Sequence, residues 1–382
     1  MKKKIVFIQS YERFPDFRIY REVEIFKGFD VDIHVIVWQR TDDGKYIDDN
    51  TDVDLHIIKI LSEHGMSGLQ HLKYQPIFYK KVYALLKEIK PDLIVAHNFD
   101  TMVPSALYKL VKTVPVIYVS REPFNKVFRI KFKSVVGEWV GWLLDAILAH
   151  IASVVFAVTP KMMRMYQHMV VKAQFIPNAP LEIFYKEALE KTKRNEIVLG
   201  FIGNIRESLS IKMVWKAIQI LNKKDKIRFK LLLCGVVLSG MEEVINEMQR
   251  EDCDSLQLIA PVTPDKVAVL YKDVDIAFIL PEGSNVKFKG YGVHVKLYES
   301  LATGTPAIIN KFGENAKLLE NTDCVIVLDE MKMDNLVEGI ELLAADAKKR
   351  VQMGKLGKEF IKSKFNWNLF KDEYQKTVEK LL

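Results

Sequence analysis

The chain has 382 residues, 49% of them hydrophobic, with 56 basic against 49 acidic side chains. That length exceeds one ordinary core and suits two α/β domains of about 150–200 residues each, while the composition excludes a disordered chain. The net charge of +7 is too mild for a nucleic-acid specialist and fits an anionic small ligand or an anionic membrane surface.

The opening residues, MKKKIVFIQS, place only a short apolar run behind the lysines. A secretory h-region needs about 7–15 such residues, so this run reads as a buried first strand over 5–9. Ile19, Val23 and Phe26 then recur at helical spacing behind Asp16, a predicted N-cap. Further strands are predicted over 32–37, 55–59, 93–96, 116–119 and 154–158. The longest apolar stretch, 139–158, is interrupted by Asp145 and His150, which a membrane-spanning helix excludes from its centre; no span is predicted. The polar segment 178–195 reads as a link. The pattern then restarts, with strands over 198–202, 230–234, 256–259, 276–280, 307–309 and 325–327. Predicted helices cover 212–222, 241–250, 264–272, 293–303, 335–345 and 347–363. A last helix over 365–382 presents Trp367, Phe370, Tyr374 and Val378 as a packing face. Short apolar strands separated by helices predict parallel sheets buried on both faces, with ligands beyond the carboxyl ends of the strands. Cys234, Cys253 and Cys324 are too few and too scattered for a disulfide or metal framework, and are expected to be buried fillers in a reducing cytoplasm.

The segment Val-His-Val-Lys-Leu-Tyr-Glu-Ser-Leu-Ala-Thr-Gly-Thr-Pro over 293–306 reads as a helix stopped by Gly304 and Pro306. Lys296 and Glu299 share one face. A cation in the first turn strengthens the anion preference of a helix start, and a carboxylate one turn on is suited to a ribose diol. The bland reading is an exposed helix with a Lys–Glu pair, and the spacing alone leaves both open.

The run VKLYESLATGTPAII resembles the donor-binding helix of family 4 retaining glycosyltransferases. Weaker matches follow the same order: FPDFRIYREVEIFKGFDVDIHVI, KPDLIVAHNFDTMVPSAL, VPVIYVSREPF, VFAVTPKM, FIPNAP and IVLGFIGNIRES. The resemblance implies an α/β fold of GT-B type: two Rossmann-like domains facing across an interdomain cleft, with the C-terminal helix packing back on the first. The implied division is an acceptor-binding domain over 1–180, joined by 365–382, and a donor-binding domain over 181–364. The implied reaction moves a sugar from a UDP- or GDP-sugar to a glycan or lipid-linked acceptor with retention, in cell-surface polysaccharide or glycoconjugate synthesis. Glu299 is then the ribose ligand, with Lys296, Arg206 and, more weakly, Lys212 at the diphosphate. Gly203 lets the backbone approach phosphate. His97, at a strand's carboxyl end, is the implied catalytic residue on the sugar side, and Asp100 and Glu122 belong to the acceptor side. Two positions depart from the family pattern. Tyr291 stands where relatives carry the first of two glutamates, which leaves the donor sugar open, and Leu209 stands where they carry a lysine.

No acidic pair accompanies Lys296 and Arg206 to hold a divalent cation, so no cofactor and no metal is expected. The segment 124–142 interleaves Lys126, Arg129, Lys131 and Lys133 with Phe124, Phe128, Ile130, Phe132 and Val135. That mixture suits an anionic headgroup layer and predicts a peripheral protein on the inner face of the cell membrane, with no nucleic-acid partner. Two other readings remain open from the sequence: a nucleotide-sugar epimerase or hydrolase of the same fold, and a non-catalytic scaffold of a glycan-assembly complex.

Overall fold

A computed structural model describes residues 2–10, 17–26, 29–40, 53–62, 68–185, 191–192, 194–206, 208–224, 227–238, 240–262, 264–281, 295–311, 315–319 and 321–382. The predicted N-cap Asp16, the departure at Tyr291, and Val293 and His294 of the helix motif lie outside them. The chain forms two compact units, one of Met1–Asn178 with Phe370–Leu382 and the other of Ala179–Leu369.

The first unit is one parallel sheet in the order β3-β2-β1-β4-β5-β6-β7. Its strands are β1 (Lys3–Gln9), β2 (Val31–Gln39), β3 (Asp54–Lys59), β4 (Leu93–His97), β5 (Val116–Ser120), β6 (Val154–Ala157) and β7 (Ala173–Phe175). The helices between them are α1 (Phe17–Phe26), α2 (Gly68–Ile89), α3 (Phe99–Lys112), α4 (Phe124–Phe132), α5 (Val135–Ile151) and α6 (Pro160–His168). Strands β4, β5 and β6 are buried at every residue, as continuous apolar runs in a doubly covered sheet require. Strand β7, three half-buried residues, was not predicted, because so short a run carries no pattern. Local signals start two of the helices. Ser134 Oγ accepts from Gly137 N ahead of α5, and Thr159 accepts from Met162 N with Pro160 following at the head of α6.

The second unit repeats the plan with strands β8 (Glu196–Ile202), β9 (Arg228–Cys234), β10 (Leu256–Ile259), β11 (Ile276–Ile279), β12 (Ala307–Asn310) and β13 (Val325–Leu328). Their order, β10-β9-β8-β11-β12-β13, is the doubly wound order of a dinucleotide-type fold, which reverses between its first and fourth strands. Helices α7 (Ser208–Lys224), α8 (Glu242–Glu251), α9 (Pro264–Leu270), α10 (Val295–Ala302), α11 (Asn315–Leu319), α12 (Met333–Ala345) and α13 (Ala347–Phe360) connect or cover the strands. Ile211, Ile218 and Leu221 of α7, Ile245 of α8 and Ile340 of α12 fill one face of this sheet. Val198, Leu232, Tyr271 and Val274 fill the other. Cys234 and Cys324 are buried as expected, but Cys253 is exposed, because it sits in a single-turn helix ahead of β10.

Helix α13 lies so close to the turn after α10 that a Cβ on Gly354 would stand 2.1 Å from Gly304 O. The clash is with backbone, which cannot swing aside. Gly354→Ala should therefore lower stability in urea unfolding by about 1–3 kcal/mol, as overpacking does. Lys355→Ala, at an exposed position next door, should leave the midpoint nearly unchanged.

Helix α14 (Asn368–Glu379) belongs almost wholly to the first unit. Tyr374 is fully buried, 4.9 Å from Phe156 and 6.3 Å from Phe26 between ring centroids. Thr377 Oγ1 donates to Gln174 Oε1 at 3.0 Å. The predicted packing face at Tyr374 and Val378 is thus the face that closes the first unit's core.

Candidate active site

In the second unit the candidate site lies at the carboxyl end of β8, where the strand order reverses and a doubly wound sheet leaves a crevice. β8 ends at Ile202, and Gly203 turns the chain with φ +141°, a conformation that L side chains rarely adopt. The turn also makes room. A Cβ on Gly203 would lie 2.4 Å from Lys296 Cε, so the lysine of α10 passes directly over the glycine. Its Nζ rests 3.6 Å from the centroid of the Phe201 ring, a cation–π contact that holds the ammonium in place.

The neighbouring strand repeats the device. Gly235 has φ +146°, and a Cβ there would stand 2.0 Å from Gly203 O. Beyond the glycines the two loops run together, with Ile205 N donating to Val236 O at 2.8 Å and Leu238 N to Ile205 O at 3.0 Å. Lys296 therefore sits above two close-set glycine turns, in the first turn of α10. Tyr271 OH donates to Lys296 O at 3.3 Å, fixing the start of the helix. Burial pushes the Tyr271 hydroxyl far above its ordinary range, and the charge of Glu299 adds to the effect, so Tyr271 stays a neutral donor.

Of the donor residues expected from the sequence, Gly203 and Lys296 are brought into contact and Glu299 follows one turn along α10, half-buried. Arg206 is exposed at the end of the glycine loop. Lys212 is turned toward α8, where its Nζ lies 3.5 Å from Glu247 Oε2 in an exposed pair.

Two Asp-x-Asp pairs in this unit are committed elsewhere. Asp252 accepts from the backbone of Asp254 and Ser255. Asp275 accepts from Val198 N at 2.9 Å and from Arg194. Among the described residues no group of three or more His, Cys, Asp or Glu side chains is placed for a metal ion. A cavity of about 540 Å³ lined by Lys191, Arg194, Glu196 and Arg350 opens at the amino end of β8, the opposite edge of the sheet from Gly203.

In the first unit His97 closes β4 and is fully buried. Its Nε2 lies 3.3 Å from Glu22 Oε2, and its Nδ1 meets Arg121 Nη2. A guanidinium only donates, so Nδ1 accepts and the ring proton lies on Nε2, facing the carboxylate. Glu22, on α1, also accepts from Tyr374 OH at 3.0 Å. Arg21 donates to Asn178 Oδ1 at 3.2 Å. Burial alone would raise the Glu22 carboxyl, but His97, Arg121 and Arg21 outweigh it and hold the group below its ordinary range. Glu22, Arg21 and Arg121 were not read from the sequence. A charged residue turned inward on an amphipathic helix looks, in sequence, like one turned outward.

Asp100 lies in the first turn of α3 and accepts from Ser10 Oγ at 2.8 Å, which ties the ends of β1 and α3 together. Asn98 makes that strand-to-helix turn with φ +73° and ψ 169°, a backbone pair almost confined to glycine, so the turn between His97 and Asp100 is strained. Glu122 is half-exposed, next to Arg121. His97, Asp100 and Glu122 thus share the carboxyl end of this sheet, with His97 beneath the surface.

Two family models match the chain. One described as "Glycosyl transferases group 1" covers residues 184–360, and one described as "Glycosyltransferase Family 4" covers residues 27–179. An uncharacterized glycosyltransferase of Methanocaldococcus jannaschii is 24% identical over 200 residues, 52% of this chain and 48% of that protein; the chain thus matches about half the length of this curated relative. The fold is similar to that of sucrose-phosphate synthase from Thermosynechococcus elongatus, with TM-score 0.74 and 14% identity over 100% of this chain and 99% of the other. It is also similar to Anabaena HepE, solved with UDP-glucose, with TM-score 0.71 and 14% identity over 99% of both chains. With one glycosyltransferase model over each half and a Rossmann-like sheet beneath each, the chain belongs to the GT-B glycosyltransferases of the family 4 type.

Proposed function

We propose that the protein transfers a hexosyl or N-acetylhexosaminyl group from a nucleotide-sugar to a glycan or lipid-linked acceptor, with retention of anomeric configuration and without a metal ion, in the making of cell-surface glycans. The observation that carries this reading is the ammonium of Lys296 held over two glycine turns at the strand-order reversal of the second unit. Glycosyl transfer leaves negative charge on the departing diphosphate. A fixed cation and the start of α10 stabilise that charge without reorganising. Glu299 takes the ribose hydroxyls, and Arg206 closes over the phosphates from the loop. The UDP-glucose in the Anabaena HepE structure favours a UDP-sugar over a GDP-sugar. In the first unit, Asp100 and Glu122 face the acceptor, and His97 acts on that side by fixing Arg121.

Thermal shift with UDP, GDP and their sugars tests the donor reading, since a ligand that binds only the folded state raises the melting temperature. A UDP-sugar should raise it for the native protein and leave it unmoved for Gly203→Ala, whose Cβ displaces Lys296. An equal shift in both proteins, or none with any nucleotide, refutes the grip. Turnover of labelled donor with no acceptor present would point instead to an epimerase or hydrolase.

A further inference from the structure

Helix α5 carries an outward face that the glycosyl-transfer reading does not use. Val136, Trp139, Val140, Leu143 and Ile147 fall at i, i+3, i+4, i+7 and i+11, one continuous stripe. All five are exposed, Val136 to 71%, Trp139 to 68% and Leu143 to 54%. The outer face of a soluble helix is ordinarily polar. Here the segment 139–149 has one charged residue, Asp145, and it is turned inward. It is 2% exposed and accepts from Tyr118 OH at 2.7 Å and Tyr166 OH at 2.8 Å. The outer face therefore runs uncharged for about 15 Å. Helix α3 packs beside α5 and extends the surface with Leu110 and Val111, exposed to 67% and 63%.

The rim is cationic. Lys112 ends α3, Lys133 precedes α5 in a left-handed turn, and both are exposed. Glu138, the one acidic side chain at this end of α5, is bound by both Lys126 and Arg129, so that cluster also keeps a net positive charge. Trp139 and Trp142 stand edge to face, 6.2 Å apart. Tryptophan pairs with a cationic border suit the headgroup layer of a bilayer. No described helix is long and apolar enough to cross a membrane, so the helix must lie in the surface plane. A twofold contact between copies would instead set this rim against itself, like charge facing like.

We propose that the α5 face, flanked by the end of α3, seats the protein in the surface of an anionic bilayer. The inference rests on the first unit alone and holds whether or not the donor reading does, because its test contains no nucleotide. The protein should co-float with phosphatidylcholine vesicles carrying about a third phosphatidylglycerol, and less with phosphatidylcholine alone. Five tryptophans are present, of which Trp38, Trp215 and Trp367 are buried. A blue shift of emission, and quenching by bromine-labelled acyl chains, therefore report on Trp139 and Trp142. The double variant Trp139→Glu, Leu143→Glu, at two exposed positions, should keep the native melting temperature. Its vesicle partitioning should fall about tenfold or more, since each large apolar side chain buried is worth that much. Equal partitioning of native and variant protein, or no flotation with anionic vesicles, overturns the proposal. So does a dimer in solution that the variant dissolves and vesicles do not, which would make the face a contact between copies.

Discussion

Replacing Lys296 by alanine should lower kcat/KM for the donor by about two to three orders of magnitude, the loss seen when one preorganised charge-stabilising donor is removed from an active site. The fall should appear in kcat more than in KM, because the diphosphate gains charge in the transition state. Lys212→Ala is the matched control. Lys212 is in the same unit, has the same charge and was assigned to the same site by sequence. Its ammonium, however, faces Glu247 in an exposed pair, and such pairs contribute little. Its kcat/KM should stay within about threefold of the native value. Steady-state rates for both variants decide the matter. A larger loss at Lys212 than at Lys296 would move the phosphate grip from α10 to α7.

The second large effect is expected in stability. Glu22 is buried among His97, Arg121, Arg21 and Tyr374. Removing one member of a buried ionic cluster leaves the others uncompensated, at a cost of about 3–5 kcal/mol. Glu22→Ala should show that loss in denaturant unfolding, and Glu22→Gln, which keeps the shape, should lose less. The dependence on pH gives the sign. The folded carboxyl titrates below its ordinary value of 4.5, so near that pH the unfolded chain binds more protons than the folded one. The stabilisation is complete above the unfolded value and is lost as pH falls through the folded one. The native-minus-Gln difference should therefore be flat above about pH 5 and shrink below it. A difference that is constant down to acid pH would show that the Glu22 charge contributes nothing.

Both sheets were legible in the sequence because fully buried parallel strands announce themselves as short apolar runs. The turn at Gly203 and the helix at Lys296 were each legible as well, as was Tyr374 as a packing residue. Their relation was not. Nothing along the chain says that Lys296 crosses Gly203, because that contact joins β8 to α10 across the sheet. Lys212 illustrates the converse. The family resemblance offered it as a weaker phosphate ligand, beyond the position where Leu209 replaces the family's lysine, and only the fold shows its ammonium beside Glu247 of α8. The buried charges Arg21 and Glu22 were hidden because helical periodicity marks apolar stripes, and a polar residue inside the stripe reads as its edge. In α5, apolar residues on every side left the sequence unable to say which way Asp145 faces. It argued against a span, whereas in the fold it leaves the outer face uncharged.

Helix α14 has a consequence for how the protein is made. Its Tyr374 completes the core around Phe26 and Phe156 and supplies a hydrogen bond to Glu22, yet all of unit 2 lies between it and the rest of unit 1. On the ribosome the unit that emerges first is therefore the last to be sealed. Until residue 374 appears, the nascent sheet holds an open aromatic seam and a carboxylate lacking its phenol. The second unit, continuous in sequence, closes without waiting.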